Sequence, residues 1–243
     1  EDNDSDWLNR YSQLLAYNTI LDGAATAPLG ENKTEDDRTR VIGEAYAMRA
    51  MDLFMLVCEY GPAYSAANKD LPAIPMPLKV DLSAQLSKST VGEVYDQIVS
   101  DLANANTRLA TAPAHNLAAN YRPGQAAMKA LYAEVSLFRG DFAEAVTFSN
   151  EALAFYDFVY DFTAIENKDA GLPWSGLEIT DFDYSTDAKS VLWNRYHRWG
   201  YSDPTQLYSP DLVALFDKTN ERRFVLFSSE ETYFGVPVSP NYA

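Results

Sequence analysis

Two runs of helical period meet at Gly140 and Asp141, with no room between them for anything but a tight turn. The first run opens at Pro123, where a proline is tolerated at the first helical position, and extends to Arg139. The second starts with Asp141-Phe142-Ala143-Glu144 and reaches about Tyr156. Glycine can take the left-handed conformation that closes a helix, and an Asp/Glu capping box can open the next one. This predicts an antiparallel helical hairpin over 122–157 turning at Gly140. Small residues, Ala126, Ala127, Ala130, Ala133, Ala143 and Ala145, stand where the helices would approach closely. The unit is of tetratricopeptide type. Ala47-Met48-Arg49-Ala50-Met51, running on to Gly61, echoes Ala127-Met128-Lys129-Ala130-Leu131, running on to Gly140, about 80 residues later. Two divergent repeats around a long insertion would produce the echo; so would two alanine-rich helices alike only in composition.

Upstream, Trp7, Leu8, Tyr11, Leu14, Leu15, Asn18, Ile20 and Leu21 recur at helical spacing, with Gly23 as the stop. Thr34 caps an acidic first turn, Glu35-Asp36-Asp37, and the helix behind it runs to about Tyr60, before Gly61-Pro62. Residues 61–89 hold Pro62, Pro72, Pro75 and Pro77 and read as an extended loop, because proline lacks the amide donor of a helix or central strand. Thr90-Val91-Gly92-Glu93 is a capping box. Behind it Val91, Val94, Tyr95, Ile98, Leu102, Ala105 and Leu109 form one stripe, with Asp96, Ser100, Asp101 and Asn104 facing elsewhere. A loop then leads to Tyr121. From 158 to 210 no helical period is sustained, and Gly171, Pro173, Gly176, Gly200 and Pro204 punctuate the chain. Only Ser190–Tyr196 suggests a short element there, and a last helix opens at Pro210-Asp211-Leu212 and ends near Asp217. The expected organisation is all-α: a helical domain over 1–157, then a loop-rich segment over 158–243 that starts a truncated C-terminal part.

Charge removes several function classes. Nineteen Lys and Arg stand against 35 Asp and Glu, a net of −16, so nucleic acid and anionic membrane surfaces are poor partners. The apolar stretch Ala45–Tyr60 is interrupted by Arg49 and Asp52 and is shorter than the roughly 18 residues of a membrane span. Cys58 is the only cysteine, and with His115 and His197 it makes neither a disulfide framework nor a zinc site. It reads as a small buried hydrophobe, and the two histidines, lacking spaced partners, as surface or packing residues. No phosphate-cradling glycine loop, His-Glu-x-x-His or Gly-x-Ser-x-Gly occurs, so no cofactor is expected. Asp181, Asp183, Ser185 and Asp187 have the alternate spacing that begins a calcium loop, but Thr186 stands where glycine belongs and Leu192 where glutamate belongs. They form a weak calcium candidate beside the plainer reading of a solvated acidic loop. Asp2, Asp4 and Asp6 alternate likewise and are explained by a helix N-terminus. The chain opens Glu-Asp-Asn-Asp with no initiator Met or signal pattern, the expectation for a processed or truncated piece.

Trp174, Tyr184, Trp193, Tyr196, Trp199 and Tyr201 crowd into the irregular segment. Aromatic platforms flanked by Asp, Asn and Arg suit hydroxyl-rich ligands such as sugars, because the ring covers the apolar face and polar groups pair the hydroxyls. Trp193 follows Ser190-Val191-Leu192 and is assigned to the core. Trp174, Tyr184, Trp199 and Tyr201 are the candidate ligand-binding residues, set against plain packing.

Several blocks then fall into register with one family. Glu44-Ala45-Tyr46-Ala47-Met48-Arg49-Ala50 through Glu59-Tyr60-Gly61-Pro62-Ala63-Tyr64, Pro72-Ala73-Ile74-Pro75, Thr90-Val91-Gly92-Glu93-Val94-Tyr95-Asp96-Gln97-Ile98 with Asp101-Leu102, and Gly124-Gln125-Ala126-Ala127 through Leu137-Phe138-Arg139-Gly140-Asp141-Phe142 resemble the SusD/RagB family of Bacteroidetes outer-membrane lipoproteins. Leu192-Trp193-Asn194-Arg195-Tyr196 and Ser209-Pro210-Asp211-Leu212 resemble later landmarks more loosely. The resemblance implies tetratricopeptide-like helical pairs packed against a SusC-like TonB-dependent transporter, a glycan or peptide site on irregular loops, a lipid anchor at the outer membrane's cell-surface face, and no catalysis. The resemblance also implies a partial chain, since family members are usually much longer, beginning with a lipidated cysteine and ending in a loop-rich half, and this sequence lacks that cysteine and most of that half. Two other readings compete: a tetratricopeptide scaffold for another protein, which would need neither the proline-rich loop nor the aromatic segment, and a helical-toroid glycoside hydrolase, which would need a facing acid–base carboxylate pair.

Overall fold

The computed structural model describes residues 4–116, 119, 121–159, 161, 192 and 193. The chain divides into two units, Glu1–Asp157 and Phe158–Ala243, and the elements below all belong to the first. They are α1 (Ser5–Gly23), α2 (Glu35–Tyr60), β1 (Pro72–Pro75), β2 (Lys88–Thr90), α3 (Val91–Arg108), α4 (Gln125–Arg139) and α5 (Phe142–Phe155). The architecture is the tetratricopeptide-like, helix-rich one expected.

Side chains at the helix starts satisfy amides that have no partner within the helix. Asp4 accepts from the amides of Asp6 and Trp7 at the head of α1. Thr34 and Asp37 form a reciprocal box on α2, as do Thr90 and Glu93 on α3, where the Glu93 carboxylate accepts the Thr90 amide at 2.8 Å. The apolar stripe of α3 is buried along its whole length, from Val91 to Leu109. It packs on α2, whose buried residues include Ala47, Ala50, Leu53, Phe54 and Val57. The pairing runs antiparallel: Phe54 meets Tyr95, Arg49 meets Asp101, and Gly43 lies against Arg108 and Leu109. α1 crosses α2 in the same sense, with Trp7 on Tyr60, Arg10 on Asp52 and Asn18 on Arg49.

The α4–α5 hairpin forms as the spacing predicts. Gly140 has φ +82°, and the Asp141 and Gly140 amides reach back to the Ser136 and Leu137 carbonyls at 2.9 and 3.1 Å, a Schellman closure. Tyr132 stacks on Phe148 with centroids 4.4 Å apart, and Lys129 pairs with Glu151 at 2.6 Å. An added Cβ at Gly140 meets nothing within 4 Å, so the strain of a substitution there starts from the backbone, at φ +82°. Gly140→Val is expected to cost about 1 kcal/mol or more in urea denaturation, from the left-handed conformation. An unchanged midpoint would contradict it.

Six local readings are corrected. The 61–89 segment is not all loop: Pro72–Pro75 pairs antiparallel with Lys88–Thr90, with an irregular register between Pro72 and Pro75. The prolines stand at the strand's ends, leaving Ala73 and Ile74 with amides, and a two-stranded ribbon has no central strand to disrupt. Asp101 does not face away but is fully buried, because Arg49 from α2 meets it. Pro123 precedes α4, whose N-cap is Gly124. Asp141 makes no side-chain cap bond; its carboxylate pairs with Arg139 at 3.1 Å instead. Ala143 is exposed rather than in the hairpin seam. Cys58 is exposed rather than buried, near the end of α2, with its sulfur 3.9 Å from the Tyr95 hydroxyl.

Candidate functional site

Two groups of rings flank the chain where α2 gives way to the proline-rich segment. In the first, Trp7 lies edge-on to Tyr60 with centroids 4.8 Å apart and tilted against Tyr11 at 4.6 Å. The group exists because α1 runs antiparallel to α2, which sets the start of one beside the end of the other. The Tyr60 hydroxyl donates to the Asp4 carboxylate at 2.6 Å. That bond pushes the Tyr60 phenol up to about 12 and holds the Asp4 carboxyl below the usual carboxylate range, helped there by the Trp7 amide. Tyr11 donates to the Pro75 carbonyl at 2.7 Å, and Asn18 donates to that of Pro77 at 3.0 Å, so α1 also holds the end of β1 and the chain leaving it. Arg10 spans from the buried Asp52, at 3.3 Å, to the exposed Glu59, at 3.1 Å.

In the second group Tyr64 packs edge-on to Tyr95 at 4.9 Å, and Phe54 lies between Tyr95 and Phe138. The Arg139 guanidinium sits over the Tyr64 ring, 5.7 Å from its centroid. Burial pushes the Tyr95 phenol up. This group ties α2, α3, the loop and α4 together: Phe54 and Tyr95 are buried, Tyr64 is half-buried and Phe138 is exposed at its edge. The first has no fully buried ring: Trp7 and Tyr60 are half-buried, while Asp4, Asp6, Leu8 and Glu59 around them are exposed. Flat rings with carboxylates and a guanidinium at their edges make a contact surface.

Of the residues singled out from the sequence, Trp174, Tyr184, Trp199 and Tyr201 lie outside the described residues, as do Asp181, Asp183, Asp187 and His197. The Ser190–Tyr196 element, apart from Leu192 and Trp193, and the Pro210–Asp217 helix also lie outside them. Trp193 is half-buried. His115 packs on Tyr156, ring centroids 4.1 Å apart, consistent with a packing role. Among the described residues no three His, Cys, Asp or Glu side chains converge as a metal site, and no helix is long and apolar enough to cross a membrane. Sequence reasoning placed Trp7 in a helical stripe and Tyr60 at a helix end without joining them; an aromatic at each of two adjacent helix ends was the available signal.

A SusD-like family model, described as starch-binding and associating with the outer membrane, matches residues 1–137. Among solved structures the chain is similar to a SusD superfamily protein from Bacteroides thetaiotaomicron, with TM-score 0.58 and 22% identity over 65% of this chain and 34% of that one. A SusD superfamily protein from Bacteroides vulgatus gives TM-score 0.58 and 22% identity, covering 65% of this chain and 36% of that one. A SusD-like carbohydrate binding protein from the same species gives TM-score 0.55 and 22% identity, covering 64% and 32%. At that identity the likeness concerns the fold, and the chain spans about a third of the length of these structures. No curated protein sequence matches it.

Proposed function

The chain belongs to the SusD-like family, and from that membership we propose that it is a non-enzymatic glycan-binding component of a cell-surface nutrient importer. The observation that carries the proposal is the match of residues 1–137 to a family described as starch-binding and associating with the outer membrane. The helical unit supplies a rigid body for docking on a SusC-like TonB-dependent transporter, and a lipid anchor on the full-length protein would hold it at the outer membrane. The 158–243 part would carry a sugar platform of Trp174, Tyr184, Trp199 and Tyr201, supported by their density in a segment without helical period.

Isothermal titration of the 243-residue chain with maltoheptaose tests this. Saturable binding without release of shorter oligosaccharides is the expected result. Trp199→Ala or Trp174→Ala should weaken binding by about 1–3 kcal/mol, the range for removing a large ring from a contact surface, while leaving the thermal midpoint nearly unchanged. Absence of binding would refute the proposal. Turnover that disappears with a single Asp or Glu substitution would replace it with the toroid hydrolase.

A further inference from the structure

The ring group at the head of α1 is built more tightly than helix packing requires. Asp4 already caps α1 through the amides of Asp6 and Trp7, yet the same carboxylate also takes the Tyr60 hydroxyl at 2.6 Å. One side chain therefore fixes the residue that carries the indole and the ring set edge-on to it, at an interplanar angle of 84°. Arg10 bridges the buried Asp52 at 3.3 Å and Glu59 at 3.1 Å, which sets the Glu59 carboxylate on the same rim. Trp7 and Tyr60 are only half-buried, and Asp4 and Glu59 are exposed, so this arrangement lies at the surface.

Rings fixed in advance lose little freedom when a ligand arrives, and carboxylates at their edges accept hydrogen bonds from hydroxyls. A pyranose offers both complements: a face of C–H groups for the indole and a belt of hydroxyl donors. We infer that Trp7, Tyr60, Asp4 and Glu59 form a contact site for a neutral oligosaccharide. The inference rests on the glycan-binding function proposed above and adds a site and a charge selection to it. Asp4, Asp6 and Glu59 outnumber Arg10, the cation paired with Glu59, so the charge beside the rings is net negative, which disfavours the carboxylate of a uronic acid and leaves neutral sugars favoured. The residues come from the two ends of α1 and α2 that meet, so the site lies within the helical unit.

The test follows the Trp7 indole N–H signal in the nitrogen-15-labelled 243-residue chain, identified by its loss in Trp7→Phe, during titration with maltoheptaose. The expected result is a saturable shift of that signal, about tenfold weaker affinity in Trp7→Ala, and a several-fold loss in Asp4→Asn. Asp4→Asn retains the helix cap, since asparagine caps as well as aspartate, so it reads the site even if Trp7→Ala fails to fold. A glucuronate-containing hexasaccharide should leave the Trp7 signal in place. If the chain binds maltoheptaose while the Trp7 signal stays fixed, or Asp4→Asn keeps full affinity, the site is overturned and the glycan-binding function stands. If the wild-type chain binds no maltoheptaose, both fall.

Discussion

Asp101→Ala is expected to destabilise the helical unit by about 3–5 kcal/mol, the cost of leaving a buried charge without its partner. The Arg49 guanidinium, 7% exposed, grips Asp101 with two bonds of 2.7 Å and reaches Asn18 with a third of 2.8 Å. Gln97 donates to the same carboxylate. One cluster thus joins α1, α2 and α3. Burial pushes the Asp101 carboxyl up, against the pull of Arg49 and Gln97 downward, so the pair is costly to bury and costlier to break. Two consequences separate this account from a simple packing role. Arg49→Met combined with Asp101→Leu should recover most of the loss, because an apolar pair of similar volume carries no desolvation penalty. Asn18→Ala should cost less, since it leaves the bidentate pair intact. Urea denaturation followed by circular dichroism measures all three. A loss under 1 kcal/mol for Asp101→Ala would mean the pair is not closed to water.

Helix boundaries were legible because they are local. Thr34, Thr90, Gly61 and Gly140 each act on amides or carbonyls within a turn of themselves, and the residues that act are written next to the groups they satisfy. The α3 stripe was legible for the same reason, since period alone places Val91, Val94, Ile98 and Leu102 on one face. Asp101 was misjudged by that logic. Period separates a stripe from the rest of a helix, but it does not know that Arg49, far away in the chain, waits opposite a polar position. The β1–β2 ribbon was missed because prolines argue against strands in general, whereas its pairing depends on two segments that a dozen residues of loop separate.

The ring group of Trp7 and Tyr60 illustrates a different limit. Each residue obeys a local rule, one in an apolar helical stripe and one at a helix end, and nothing near either points to the other. Their meeting follows from the antiparallel crossing of α1 on α2, which is a tertiary fact. The family, by contrast, was readable from sequence because it rests on several blocks kept in order, each encoding a helix start, a helix stop or a loop, and residues 1–137 carry nearly all of them. The aromatic residues after 170 follow no such order, so the sequence identifies their type and density and leaves their arrangement open.

Gly43 shows how a close approach between helices is written as an apparent weakness. Glycine inside a helix costs about 1 kcal/mol relative to alanine, and Gly43 lies within α2. A Cβ added there would stand 2.8 Å from the Arg108 Cβ and 3.1–3.2 Å from the Leu109 side chain. Those atoms lie at the end of α3, where Leu109 is buried and the Arg108 guanidinium rests over the Tyr46 ring, so neither has an easy direction in which to yield. The start of α2 and the end of α3 touch because this one position has no side chain. Gly43→Val is therefore expected to lower stability by about 3 kcal/mol, the upper part of the range for overpacking a filled site. Gly43→Ala should lower it less, because the better helix propensity offsets part of the clash. The pair of substitutions distinguishes the two effects. If Gly43→Ala raised the urea midpoint, propensity would outweigh contact, and the α2–α3 junction would be looser than the 2.8 Å approach requires.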